Sequence, residues 1–156
     1  MFGMRNPRRT HIGFACITVW AMTLSTGLGP SRANAAASKV DKETYVVEIK
    51  SVGEYAAGKE CRVEVRLVAK GDYRINDKYP TKFKSADTAP EGVVFPKPIV
   101  KREDGKFAEK EGTLPIPFTP VKPGKLTIEG TFYLSVVSDV NAIIEKVDLA
   151  CDVDVK

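Results

Sequence analysis

Two cysteines, Cys61 and Cys151, are the most reactive side chains in the body of this sequence. Each falls on the apolar side of a stretch in which apolar and polar residues alternate. The sequence leaves two main alternatives for the state of these cysteines in the folded protein. One is a structural disulfide, which would close a loop of about 90 residues and stabilise the fold by roughly 2–5 kcal/mol. The other is a pair of buried free thiols that pack like small hydrophobic groups. A redox-active pair is a further alternative, although no close Cys spacing or nearby base activates either thiol.

Four aspartates near the end of the chain form the other chemical constellation. Asp148, Asp152 and Asp154 occupy alternate positions of one stretch, and Asp139 lies in the polar break before it. Calcium needs oxygens that wrap around one ion, whereas alternate positions of a flat strand place carboxylates in a row. We therefore predict a solvated outer face. No phosphate-binding glycine loop or catalytic carboxylate motif is present in the sequence, so no cofactor is expected.

The first 35 residues have the features of a secretory signal peptide. Three arginines lie within the first nine residues, an uncharged apolar run covers residues 12–29, and Ala33 and Ala35 supply the small side chains that a signal peptidase requires. The pattern predicts a mature protein that begins at Ala36 and is periplasmic or secreted. The alternative is a permanent membrane anchor, but serine, threonine and glycine dilute the apolar run. No stable anchor is expected after cleavage.

Removal of this segment changes the charge of the protein. The chain has 24 basic and 20 acidic side chains, and four arginines but no acid lie before the predicted cleavage site. The remainder is neutral, so its charge gives no argument for nucleic acid or anionic lipid as a partner. The single histidine, His11, also leaves with the signal. A histidine-based zinc or copper site and a Ser-His or Cys-His nucleophile are therefore not expected.

The alternation of apolar and polar residues over short stretches is the pattern of β-strands with one buried face. A 3.6-residue repeat never lasts for three turns, and glycine and proline separate the stretches. We predict an all-β fold, an antiparallel β-sandwich covering residues 44–156, with residues 36–43 as an N-terminal tether. The predicted strands include residues 44–49, 61–69, 93–95, 126–137 and 147–155.

Two local patterns refine this prediction. Residues 125–156 predict a long hairpin whose apolar face must pack on another sheet. Residues 114–123 contain four prolines, and Pro115 and Pro117 remove two backbone donors from the same edge. This stretch should therefore be an edge strand with a blunted outer side.

Aromatic and polar side chains are interleaved after the second predicted strand. Tyr73, Arg74, Asn76 and Tyr79 could stack on and hydrogen-bond to a partner, which makes them candidate interaction residues. The alternative is structural: the tyrosines close one end of the sandwich, with their hydroxyls tied to nearby backbone.

Residues 130–146 resemble the closing hairpin of the N-terminal periplasmic domain of the DsbD family of thiol:disulfide interchange proteins. Residues 71–80, with an aromatic-x-x-Asn run before Tyr79-Pro80, are similar to a second segment of that domain. The resemblance implies an immunoglobulin-like sandwich that meets periplasmic partners. In the family two cysteines flank the hairpin turn. Val137 and Ala142 stand at the matching positions, so the family's redox chemistry is not implied.

The first functional hypothesis is therefore an exported, non-catalytic β-sandwich, a protein-interaction or ligand-binding module of the bacterial envelope whose expected partner is another envelope or periplasmic protein. An alternative is a thiol:disulfide exchanger that uses Cys61 and Cys151 instead. A third is a structural or adhesive module of an envelope assembly. The sequence thus predicts a binding protein and not an enzyme, with thiol exchange as the one enzymatic alternative.

Overall fold

The alternating stretches fold into eleven strands in the computed structural model, which describes residues 36–156. Each long strand buries every second side chain, as a pleated strand with one covered face requires. The strands are β1 (Lys39–Asp41), β2 (Tyr45–Ser51), β3 (Cys61–Ala69), β4 (Arg74–Ile75), β5 (Lys82–Ser85), β6 (Val93–Val94), β7 (Ile99–Lys101), β8 (Lys106–Phe107), β9 (Glu111–Pro120), β10 (Gly124–Val137) and β11 (Ala142–Val155), with a 3₁₀ turn at Arg102–Asp104.

Two antiparallel sheets face each other. One has the order β1-β2-β3-β9, with β6 and β8 on the far side of β9, and the other has the order β11-β10-β5-β7, with β4 also on β10. The series β2-β3-β9 opposite β11-β10-β5-β7 is the strand arrangement of an immunoglobulin domain. The predicted all-β, immunoglobulin-like antiparallel sandwich is confirmed by this topology.

The predicted hairpin is the longest feature of the fold. β10 and β11 pair over fourteen positions, from Gly124 opposite Val155 to Val137 opposite Ala142. Residues 138–141 form the turn, where Ser138 N–H donates to Asn141 O at 2.8 Å. The even residues of β10 from Leu126 to Val136 and the odd residues of β11 from Val147 onwards are buried, as the alternation predicts. They contribute Phe132, Leu134 and Leu149 to one core between the sheets.

Two glycines make room for phenylalanine rings on neighbouring strands. A Cβ at Gly130 would lie 2.5 Å from Phe83 Cζ and 2.4 Å from the Lys84 carbonyl oxygen. A Cβ at Gly112 would lie 2.1 Å from Phe107 Cδ1. Each ring therefore packs on the backbone of a strand, and a residue larger than glycine at that position would overlap the ring.

The proline-rich strand β9 has one fully paired side and one interrupted side. β3 pairs along it from Phe118 to Glu111. On the other side, β8 covers Gly112 and Thr113, and β6 covers Thr119 and Pro120. The predicted blunted edge is therefore limited to the stretch around Pro115 and Pro117, where the strand offers no N–H to a neighbour.

The prediction of a tether at residues 36–43 needs correction, because this segment joins the two sheets. Lys39–Asp41 forms β1 on the edge of β2. Two residues earlier, Ala37 accepts a hydrogen bond from Ala150 N–H in β11 at 3.1 Å. Backbone groups make these contacts, so a segment without an apolar pattern can form them.

Two tyrosines close the same side of the sandwich. The Tyr45 hydroxyl, fully buried at the start of β2, donates to the Glu145 carboxylate of β11. The Tyr55 hydroxyl accepts from Val52 N–H at 2.6 Å and donates to Arg62 O at 3.2 Å. The carbonyl of Tyr55 also accepts from the Lys156 N–H at 2.9 Å. Side-chain and backbone hydrogen bonds thus join β11 to the opposite sheet.

Replacement of Gly112 by alanine should destabilise the fold by about 1–3 kcal/mol, the usual cost of overpacking. In a Phe107→Ala background the same replacement should cost little, because the three atoms nearest the added Cβ all belong to that ring. Gly130→Ala should stay costly in a Phe83→Ala background, since the Lys84 carbonyl remains. Urea unfolding measures the cost of each glycine replacement in each background. Equal costs for Gly112→Ala in both backgrounds would contradict the proposed contact.

Replacement of Tyr45 by phenylalanine should cost about 1–2 kcal/mol near neutral pH, because a hydrogen bond to a half-exposed carboxylate is lost. Burial, and then the bond to Glu145, raise the pKa of Tyr45. In the unfolded chain a tyrosine ionises near pH 10. The stabilising effect of the hydroxyl is therefore complete below about pH 10 and falls as the pH rises. The difference in unfolding midpoint between wild type and Y45F should therefore be smaller at pH 10.5 than at pH 8. An equal difference at both pH values would count against this account.

Candidate functional site

The segment after β3 and the turn of the long hairpin meet at one end of the sandwich. β4 pairs with the end of β10, with Ile75 opposite Val136 and Arg74 opposite Val137. Arg74 Nη1 lies 3.1 Å from Asp139 Oδ1 in the turn. The structure therefore brings Arg74, a predicted interaction residue, next to the hairpin turn. We call this surface, residues 73–79 with residues 137–142, the hairpin end.

Asn76 holds the loop of the hairpin end in place. Its Nδ2 donates to Ser135 Oγ at 3.2 Å, and its backbone N–H donates to Ser135 O at 3.0 Å. Its Oδ1 accepts from the Lys78 N–H at 3.1 Å, the bond of an Asx turn. The polar atoms of this predicted interaction residue are thus used within the fold, and Asn76 positions its neighbours.

The two tyrosines predicted for this surface differ in environment. Tyr73 packs against the core, and Tyr79 is partly exposed in the loop. In the described part of the chain, the tyrosine hydroxyls tied to protein atoms belong to Tyr45 and Tyr55. The structural alternative of tied hydroxyls therefore applies to that other pair, and the ring of Tyr79 remains available at the hairpin end.

A cleft of about 360 Å³ opens at the hairpin end. Arg102 lies in it with its guanidinium 4.8 Å from the centre of the Phe107 ring, and its Nη1 donates to Asn76 O at 3.1 Å. The charged side chains and the aromatic ring of this cleft come from separate parts of the chain. The lining consists of Arg74, Ile75, Asp77, Arg102, Phe107, Ala108, Glu109 and Val137.

The sequence did not predict the roles of Arg102 and Phe107. Residues 101–111 carry dense charges of both signs, a pattern typical of a solvated hairpin or loop. In the structure Phe107 packs over Gly112 and against the core, which fixes the 3₁₀ turn and Arg102 beside it. An aromatic residue within a charged stretch, with a glycine five positions later, was the available signal.

The cleft combines charges of both signs with an aromatic ring. Its lining includes two arginines and two acids, Asp77 and Glu109, and contains no thiol, hydroxyl or imidazole nucleophile. The cleft thus presents charges of both signs beside a partly exposed aromatic ring, groups that can supply specificity and contact area.

Val137 and Ala142 face each other as the last pair before the turn. The next pair, Ser138 and Asn141, is hydrogen-bonded, so Val137 and Ala142 form a non-hydrogen-bonded pair with closely spaced side chains. Val137 is half-buried and lines the cleft, whereas Ala142 is exposed. The correspondence with the DsbD family stays an expectation of the sequence.

Both cysteines have free thiols in the structure. Cys61 is half-buried at the start of β3 and donates to Lys59 O at 3.4 Å. Cys151 is buried in β11 opposite Ile128. Burial, with a smaller effect of Asp152, raises the pKa of the Cys151 thiol, which disfavours the nucleophilic thiolate.

The aspartates of β11 lie on a solvated face, as predicted. Asp148 and Asp152 are exposed, and each accepts a hydrogen bond at 2.7 Å, from Thr131 and Thr127 respectively. Within residues 36–156 no three His, Cys, Asp or Glu residues are grouped so that they could hold a metal ion. In the same residues no helix has the length and apolar character to span a membrane.

No family model and no curated protein matches the chain. Among solved structures, the chain is similar to the ASH/PapD-like domain of human CEP192 (PapD-like domain 7). The sequence identity is 10% and the TM-score is 0.31, over 81% of this chain and 97% of that one. The assignment of the sandwich therefore depends on the strand order and register described above.

A disulfide introduced by V137C/A142C should form readily, because non-hydrogen-bonded pairs place Cα atoms about 4.5 Å apart, within the range of disulfides. The small loop that it closes should stabilise the protein by about 2 kcal/mol or less. Thiol titration and melting temperatures with and without reductant measure the effect, and the two single variants are controls. A marked fall in melting temperature on oxidation would contradict the predicted register.

Proposed function

We propose that this protein is an exported, non-catalytic interaction module of the bacterial envelope that binds another envelope or periplasmic protein at its hairpin end. One observation carries the proposal. The pairing of β4 with β10 and the Arg74–Asp139 ion pair join a loop and a turn, distant in sequence, into one surface with a cleft. A partner would meet the exposed part of Tyr79, the Arg102 and Phe107 pair, and the tip of the turn.

The turn supplies an apolar contact on a fixed support. The side chain of Val140 is 95% exposed. The Ser138 hydroxyl accepts from the N–H groups of Val140 and Asn141 at 3.4 and 3.1 Å, which holds the turn in shape. A single exposed valine is common on protein surfaces. Beside a cleft of mixed charge, however, it gives a partner an apolar anchor.

The thiol-exchange alternative has less support. Cys151 pairs with Ile128, so it lies nine positions along β11 from Ala142, about 30 Å from the hairpin end. It is buried, and its raised pKa opposes thiolate formation at neutral pH. Neither thiol lines the cleft. A purely structural or adhesive role in an envelope assembly remains the other alternative.

Export is part of the proposal, and its main support comes from the sequence. The predicted signal peptide, residues 1–35, lies outside the described residues. The predicted cleavage site lies two residues before Ala37, whose backbone pairs with Leu149 in β11. Cleavage after Ala35 would therefore leave Ala37, which pairs with β11, in the mature protein.

A photo-crosslinking residue at Val140 should give one discrete adduct in the producing cell. In that adduct the chain should begin at Ala36 and should be found in the periplasmic or secreted fraction. The matched control is Val121, an exposed valine at 62% in the turn at the opposite end of β10. Arg102→Ala should reduce the Val140 adduct without unfolding the protein, which circular dichroism would verify. Equal adducts at both valines, or none at Val140, would contradict the proposal.

A further inference from the structure

Three lysines and one tyrosine lie side by side across the outer face of the second sheet. Lys101 of β7 is opposite Lys82 of β5, Lys82 is opposite Tyr133 of β10, and Tyr133 is opposite Lys146 of β11. Four adjacent strands therefore contribute one residue each to a row about 14 Å long, at the usual strand spacing. We call these four residues the lysine row.

Ion pairs within the described residues do not fully neutralise the lysine row, because Asp104 interacts with Lys101 only from beyond ion-pair distance. The ammonium groups of Lys82 and Lys146 lie 5.0 and 5.4 Å from the centre of the Tyr133 ring. Among residues 36–156, no carboxylate lies within 4.0 Å of the ammonium group of Lys82, Lys101 or Lys146. Other lysines of this sheet do have acid partners: Lys84 lies 2.7 Å from Asp87.

The direct opposition of Lys82 and Lys101 is unfavourable for the sheet, because like charges at facing positions repel each other. Lys146, on the far side of Tyr133, adds to the positive potential. Contacts of Lys82 and Lys146 with the Tyr133 ring offset part of this repulsion, and an external anion would offset the rest.

We propose that the lysine row binds an extended acidic segment of a partner protein that runs across the strands. A row of about 14 Å matches four or five residues of extended chain, at about 3.3 Å per residue. Carboxylates at alternate positions would reach the lysines, and the Tyr133 ring would pack against the segment between them. This surface is separate from the cleft of the hairpin end, and the inference does not depend on that cleft.

A protein segment fits better than a nucleic acid or a membrane surface. Asp148 lies two residues beyond Lys146 on the same face, followed by Asp152 and Asp154, all exposed. A long polyanion or an anionic bilayer laid over the lysines would extend over these aspartates and be repelled. A short acidic segment stops before it reaches them. The partner should therefore carry a local acidic run rather than a uniform negative surface.

The test is titration of the purified protein with a six-residue glutamate peptide, followed by NMR, with a six-residue glutamine peptide as control. The glutamate peptide should shift the amide signals of the lysine row and leave those around Asp152 and Asp154 unchanged. K82Q/K146Q should weaken binding about tenfold, because each of the two exposed ion pairs that it removes contributes roughly threefold. The control K59Q/K106Q removes two exposed lysines elsewhere and should leave binding unchanged.

A second measurement separates binding from folding. K82E places an acid opposite Lys101, so it should raise the melting temperature by about 2 °C while binding is lost. The proposal would be overturned if the glutamate peptide shifted amide signals outside the lysine row, or if K59Q/K106Q weakened peptide binding as much as K82Q/K146Q. Tighter binding of duplex DNA or of phosphatidylglycerol vesicles than of the peptide would also overturn it. Salt-sensitive dimerisation abolished by K82Q/K146Q would also overturn it, because a second copy would then occupy the row. Crosslinking at Val140 does not bear on these results.

Discussion

The pairing of β10 with β11 decides where the other parts of the sandwich lie. Its fourteen pairs place one set of side chains in the core and the other set towards solvent. A slip of one residue would exchange the two sets, so the apolar pattern holds the register firmly. Both outer edges of the hairpin are then used: β4 and β5 pair with β10, while Ala37 and Tyr55 pair with β11.

The two candidate surfaces follow from this register. Val137 and Ala142 form the last pair of the hairpin, so the turn stands at the end of the sandwich beside Arg74. Four rows further from the turn, Tyr133 faces Lys146, and β5 brings Lys82 to the same row. Neither surface is contiguous in sequence, because a sheet places side by side residues that are far apart along the chain.

Local patterns were enough to predict the long strands but not the short strands such as β1, β5 and β7, nor the contacts between strands. The stretch from Cys61 to Ala69 was predicted to the residue because its apolar residues alternate without interruption. The segment with Lys39 was predicted as a tether, because its contacts with β2 use backbone groups that no side-chain pattern reveals. The packing of Phe107 on Gly112, which fixes Arg102 in the cleft, depends on a turn geometry that charges alone do not specify. The row that joins Lys101, Lys82 and Lys146 requires the register of four strands.

Alternation along β10 also explains how the proposed binding surfaces can coexist with a tightly packed core. Phe132 and Leu134 are fully buried, and Tyr133 between them faces the lysines on the outside. A substitution on the outer face changes charge and shape for a partner without opening a cavity, whereas one on the inner face would cost several kcal/mol. Lysines without ion-pair partners on the outer face therefore reduce the stability of the fold only slightly. The buried side chains on the inner face of the same sheet supply most of that stability.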